Sequence, residues 1–130
     1  MKNIVDSCGW LEYFADGVNA NYFTSPIEDT KNLIVPSICV FEVFKRVYQQ
    51  RGENDALQAI ALMHQGKIVT LDDIYALSAA KCSLDYNLPM ADSVIMATAQ
   101  LQKAIIWTQD IDFKNISGVK YIEAKKIKRK

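Results

Sequence analysis

Five short runs of β-forming residues recur along the chain with helical stretches between them, and each is continuously apolar instead of alternating. They are Asn3 to Val5, Leu33 to Val35, Ile68 to Leu71, Ala104 to Trp107 and the weaker Val119 to Ile122. A strand with apolar side chains on both faces must be covered on both faces. Strands of that kind, alternating with helices, build a parallel sheet between two helical layers. The expected class is therefore α/β, a three-layer domain with a mainly parallel central sheet. At 130 residues the chain has the usual length of one such domain, so one domain over 1-130 is expected.

Helix starts are legible between the runs. Ser7 to Phe14 follows the first strand directly, and a short helical stretch is expected between Asn19 and Ile27. Ser37 is an N-cap candidate for a helix to about Gln50, Asn54 for one to about His64, and Asp72 or Asp73 for one to about Tyr86. A last helix is expected from about Ala91 to Gln102.

Four acids, Asp6, Glu42, Asp92 and Asp110, interrupt stretches that otherwise read as core. Carboxylates are almost never buried without compensation. At an effective dielectric near 20, two of them ~4 Å apart repel by roughly 4 kcal/mol, so a shared pocket requires protons or cations. Asp6 ends the first strand and Asp110 closely follows the fourth, which puts both at the carboxyl edge of the sheet. Ligands bind at that edge in open α/β sheets, where strand order reverses. Glu42 comes four residues after Ile38 and one after Phe41, on or beside the apolar face of its helix and pointing inward. Asp92 shares a stripe with Ile95, Met96 and Ala99. Structural roles compete for three of the four: Asp6 as an N-cap, with Ser7 the rival cap, Asp92 as a first-turn acid favoured by the helix dipole, and Asp110 as a turn starter. Glu42, in mid-helix, has no capping role.

All-oxygen donors suit a hard divalent ion, Mg²⁺ or Mn²⁺, and no Cys/His cluster is present to favour zinc. Cys8, Cys39 and Cys82 are widely spaced, odd in number and without a C-x-x-C pair, so they read as small buried hydrophobes in a reducing compartment. No signal-peptide core or membrane span is visible, which makes the cytoplasm the expected location and a membrane partner unexpected. Fifteen basic residues balance fifteen acidic ones, so net charge names no partner. Residues 125-130 form a basic tail, either a solvated end or a contact for RNA phosphates. Lys45, Arg46 and Arg51 read either as phosphate contacts near Glu42 or as a solvated helix face. Tyr13, Phe14, Tyr22 and Phe23 read as core or interface residues, with base stacking the alternative. His64, the single histidine, reads as an ordinary helix residue and excludes a pair of catalytic imidazoles.

In order and spacing the chain resembles the PIN-domain ribonucleases, and within them the VapC-type toxins of toxin-antitoxin pairs. The resemblance rests on Val5-Asp6-Ser7 with Trp10 to Phe14, Val35-Pro36-Ser37 leading to Phe41-Glu42-Val43, Leu88 to Ser93 with Ile95 and Ala97-Thr98-Ala99, and Trp107 to Phe113. It implies a PIN-like fold and a Mg²⁺- or Mn²⁺-dependent endoribonuclease that leaves a 5′-phosphate and a 3′-hydroxyl. It also implies an RNA substrate, a cognate antitoxin and a homodimer. Asp6, Glu42, Asp92 and Asp110 would be the metal-binding quartet, Thr108 the hydroxyl residue near the fourth acid and Asp112 an auxiliary acid. Asp110 is preferred to Asp112 because it completes Thr-x-Asp. Position 8 departs from the pattern, carrying Cys where Ser or Asn is expected.

Two other classes compete. A non-catalytic PIN-like module would bind RNA or protein without cutting. A receiver-type phosphoacceptor would need adjacent acids after the first strand, where only Asp6 stands, and Asp72-Asp73 reads instead as a helix cap.

Overall fold

The apolar runs become five parallel strands in the computed structural model, which describes residues 1–125. These are β1 (Lys2–Val5), β2 (Leu33–Pro36), β3 (Lys67–Val69), β4 (Ala104–Thr108) and β5 (Val119–Tyr121). Their spatial order is β3-β2-β1-β4-β5. Ile4 pairs with Ile34 on one side and Ile106 on the other, Val35 with Ile68, and Ile106 with Val119. Because all five strands are parallel, every connection crosses over. The helices are α1 (Ser7–Phe14), α2 (Ala20–Glu28), α3 (Ser37–Arg51), α4 (Glu53–Met63), α5 (Asp73–Tyr86) and α6 (Met90–Gln102).

The chain winds outward from β1 to β3, returns to the other side of β1 with β4, and continues to β5. Right-handed crossovers then place α1 to α4 on one face and α5 with α6 on the other. The packing follows this division: α1 lies on α2 and α3, α3 on α4, and α5 on α6, which covers β1, β2 and β4. The expected three-layer α/β fold is therefore present, with a sheet that is parallel throughout. Ile4, Val5, Val35 and Ile106 fill its centre, with Trp10, Phe23, Val43 and Met63 on one side and Ile95 on the other. Each such side chain contributes roughly 1.5–3 kcal/mol by leaving water. None of the described helices is long and apolar enough to cross a membrane.

Two cap assignments change. Gly52, at φ +90°, both ends α3 and starts α4, so the second helix begins before Asn54. Only glycine takes that backbone angle without strain, and a single residue turns the chain. At the start of α3, Pro36 holds the N-cap position in extended geometry, and Ser37 is already helical. The Ser37 hydroxyl instead accepts a hydrogen bond from the Leu71 N–H at 3.3 Å, joining the ends of β2 and β3.

Gly9 sets how closely α1 approaches its neighbours. A Cβ there would lie 2.7 Å from both the Phe23 ring and Val5 Cγ1. Phe23 and Val5 are fully buried and cannot move aside. Gly9→Ala is expected to lower stability by about 1–3 kcal/mol, read as a lower denaturation midpoint with an unchanged denaturant slope. A midpoint at or above wild type would show that α1 can shift outward freely.

Candidate metal and phosphodiester site

Strand order reverses between β1 and β4, and both strands release a carboxylate at that point. Asp6 follows β1, where its N–H donates to the Trp107 carbonyl of β4 at 3.0 Å. Its side chain caps α1: Oδ1 accepts from the Ser7 N–H at 2.6 Å. Oδ2 accepts from the Thr108 hydroxyl at 2.8 Å and from the Cys8 thiol at 3.3 Å. The same Thr108 oxygen accepts the Asp110 N–H at 2.9 Å, and Asp110 Oδ1 in turn accepts the Asp112 N–H at 2.9 Å. Thr108, fully buried, thus fixes both acids at once.

Asp92 enters from the first turn of α6. Asp6, Asp92 and Asp110 each place a carboxylate oxygen within 4.8 Å of the other two. Asp6 and Asp92 are buried and Asp110 is half-buried. Burial pushes Asp6 from 3.8 up to about 6, against the opposing pull of the bonds from Thr108, Cys8 and Ser7. Asp92 is driven well above the usual carboxylate range, first by burial and then by the charges of Asp6 and Asp110. Without a cation Asp6 and Asp92 therefore tend to hold protons. Oxygen donors at this spacing, two on buried residues and one on a half-buried residue and with no imidazole or thiolate among them, suit a hard divalent ion.

Of the acids singled out by sequence, three are brought together and two are not. Glu42 lies outside the three-acid cluster but is tied to it, because its Oε1 accepts from the Ser7 hydroxyl at 2.6 Å and Ser7 donates its N–H to Asp6. Asp112 is exposed and reaches the cluster through its backbone N–H, so Asp110 is the acid that shares the pocket. Asp6 and Asp110 each cap a turn with one oxygen while taking part in the cluster, so the capping position does not keep either acid out of it. Cys8 makes contacts that a hydroxyl would make, its thiol lying 3.4 Å from the Thr108 oxygen. Burial and the Asp6 charge raise that thiol far above its ordinary range, so it remains protonated.

The inward face of α3 is Cys39, Val43 and Val47, whereas Phe41 is 60% exposed. The expectation that Glu42 points inward beside Phe41 is corrected: Glu42 is half-buried at the border of that face, and Phe41 points to solvent. Phe23 is core, while Tyr13, Phe14 and Tyr22 are half-buried against it, with the Tyr22 and Trp107 rings 5.3 Å apart. His64 is exposed. Within the basic tail Lys125 is exposed, and the remaining residues lie outside those described.

One site residue carries no local sequence signal. Asn19 is buried in the loop after α1, and its Nδ2 donates to Gln109 Oε1 at 2.9 Å and to the Glu123 carbonyl at 3.0 Å. It clamps the Asp110 loop against the segment after β5. Its partners are too distant in sequence for any periodicity to mark the position.

A groove of about 530 Å³ opens beside the acids between α1, α3 and α4, and Cys8, Phe14, Arg46, Arg51 and Gln109 line it. A shallower cleft of about 320 Å³ adjoins it along α3, with Ser7, Phe41, Glu42, Lys45 and Arg46 on its walls.

A doubly wound parallel sheet with carboxylates gathered at its switch point defines a class of small α/β domains whose ligands are met at the sheet's edge. Within that class, the PIN domain family model matches residues 4–119, and the chain belongs to the PIN-domain family. The fold is similar to that of a toxin-antitoxin complex from Klebsiella pneumoniae, with a TM-score of 0.75 and 22% identity over 91% of this chain and 95% of that one. It is also similar to VapBC2 from Rickettsia felis bound to a DNA fragment from the promoter, at TM-score 0.72 and 12% identity over 95% of this chain and 98% of that one. VapC20 from Mycobacterium tuberculosis, described as a sarcin-ricin loop cleaving toxin, matches at TM-score 0.71 and 11% identity over 91% of this chain and 98% of that one. Among curated proteins, no sequence matches significantly.

Proposed function

We propose that the chain is a divalent-metal-dependent endoribonuclease and the toxin of a type II toxin-antitoxin pair. The observation that carries this reading is the meeting of Asp6, Asp92 and Asp110 at the strand-order reversal of a PIN domain. Mg²⁺ or Mn²⁺ is the proposed cofactor, held by these three with Glu42 as the outlying fourth acid. When bound, such an ion offsets the charge of the carboxylates and the phosphodiester and promotes in-line attack by water. The chain's own part is to hold the acids in place. Thr108 fixes Asp6 and Asp110 relative to each other, Ser7 couples Glu42 to Asp6, and Asp112 braces the Asp110 turn.

Catalysis is favoured over a purely binding module because the acids remain together at an electrostatic cost that binding alone would not require. The VapBC structures support a cognate antitoxin as partner, and the cytoplasm is the compartment where its RNA would be met. A homodimer is part of the same reading. Exposed Ile74, Leu77 and Leu84 run along α5, and Asp73 and Lys81 lie equally far on either side of Leu77. A twofold antiparallel pairing centred on Leu77 would therefore join unlike charges.

Expression of the chain should arrest growth. Co-expression of the neighbouring reading frame should relieve the arrest and yield a complex containing two copies of the chain. In vitro, Mg²⁺ or Mn²⁺ should permit RNA cleavage leaving 5′-phosphate ends, and EDTA should stop it. Full cleavage in EDTA would sink the proposal.

A further inference from the structure

Building on the nuclease reading, we infer that the cleft along α3 is a subsite for single-stranded RNA, in which a base stacks on Phe41 while Lys45 and Arg46 hold the flanking phosphates. Phe41 is 60% exposed, a large apolar ring facing water one residue from Glu42. It lines one cleft with Ser7 and Glu42, the two residues that connect α3 to Asp6. Lys45 lies one turn further along the helix with its Nζ 5.8 Å from the ring centroid, and Arg46 lines both this cleft and the larger groove beside Cys8.

An aromatic face beside cations is the combination that binds unpaired polynucleotide. Every base has a face to stack, and the backbone supplies one negative charge per nucleotide. The exposed apolar stripe of α5 differs in kind: Ile74, Leu77 and Leu84 bring only aliphatic surface, which suits a protein partner. The α3 cleft adds an aromatic ring and two cations, Lys45 and Arg46, against the single acid Glu42, whereas the opposite charges of Asp73 and Lys81 flank the α5 stripe, and this difference assigns α3 to the polyanion. A base seated on Phe41 would hold its neighbouring phosphodiester along the wall that leads through Glu42 and Ser7 to the acidic cluster.

The test measures fluorescence anisotropy of a labelled single-stranded oligoribonucleotide with the Asp6→Asn chain, whose cleavage should be too slow to consume it during the measurement, in Mg²⁺ buffer across a salt series. Adding Phe41→Ala should weaken binding about 10-fold, and Phe41→Trp should restore it. Lys45→Ala should weaken binding and reduce the salt slope by about one. Duplex RNA of the same sequence should compete poorly, because its bases are not free to stack. In cleavage by the otherwise wild-type chain, the Phe41→Ala defect should fall on KM.

Unchanged binding and KM in Phe41→Ala, or equal competition by the duplex, overturns the subsite while leaving the nuclease reading intact. Loss of antitoxin binding or self-association with RNA binding unchanged overturns it in favour of a protein contact. If the chain with Phe41 in place neither binds nor cleaves RNA, the nuclease reading itself falls and the subsite with it.

Discussion

Asp6→Asn and Asp110→Asn are each expected to lower metal-dependent RNA cleavage by about 10³-fold or more while the chain stays folded. Asn keeps the shape of Asp and can still accept the capping N–H of Ser7 or Asp112, so the turns survive. What is lost is one charged ligand of three that lie within 4.8 Å of one another. Asp112→Asn should cost less than about 10-fold, because an exposed side chain is changed and the backbone bond to Asp110 remains. Thr108→Val removes the hydroxyl that serves both Asp6 and Asp110, and outer residues of this kind are worth about 10- to 100-fold. Glu42→Gln keeps an acceptor for Ser7, so a loss as large as that of Asp6→Asn would mean that the Glu42 charge itself takes part. Initial rates on a labelled RNA, with circular dichroism as the fold control, decide among these. Equal losses at Asp110 and Asp112 would contradict the geometry.

In metal-free buffer at pH 8, Asp92→Asn should be more stable than the wild-type chain. Asp6 rises from 3.8 to about 6 on folding, and Asp92 is also raised, both first by burial. Between pH 4 and 6 the folded chain holds a proton on Asp6 that the unfolded chain has released, so stability falls as pH rises. Its contribution is complete below about pH 4 and gone once pH passes the folded value. For Asp6 alone this amounts to about 3 kcal/mol, or roughly 10 °C in midpoint for a domain of this length, and Asp92 adds to it. Asn at position 92 removes one charge from the cluster and with it part of the penalty. Millimolar Mg²⁺ or Mn²⁺ should raise the wild-type midpoint by binding the folded state and have much less effect on the variant. Calorimetry in EDTA at pH 5 and pH 8, then with metal, gives the comparison. A wild-type midpoint indifferent to both pH and metal would show that the carboxylates do not share a pocket in solution.

How far the sequence discloses this molecule depends on what kind of information each feature needs. Continuous apolar runs such as Ile105-Ile106 and Leu33 to Val35 identify strands covered on both faces, and the helix periods between them set the layers. Strand order is a pairing property, so the reversal between β1 and β4 appears only in three dimensions. Asp6 and Asp110 could be placed because a residue that follows a parallel strand lies at its carboxyl edge whatever the order. The face of α3 is less legible. Ile38, Cys39, Val40, Phe41, Val43, Phe44 and Val47 surround the helix almost completely, and such a pattern cannot say which of its apolar residues faces water. The solvent-facing position of Phe41 is hidden in the sequence for that reason. The start of α4 is hidden for another: Gly52, at positive φ, makes the corner in place of a side-chain cap at Asn54.

The three clustered acids reach their pocket from segments near the start, the later middle and the end of the described chain. No local fragment contains the site, and any product that ends before Asp110 lacks one wall of it. During synthesis from the N-terminus, Asp6 and Asp92 emerge well before β4 can dock beside β1 and bring Asp110 across. The cluster is thus a late event in folding, closed by pairing between distant parts of the chain, and such non-local closure is slow compared with helix formation. Timing is built into the topology: the nascent polypeptide has no complete acidic cluster until its sheet is nearly finished.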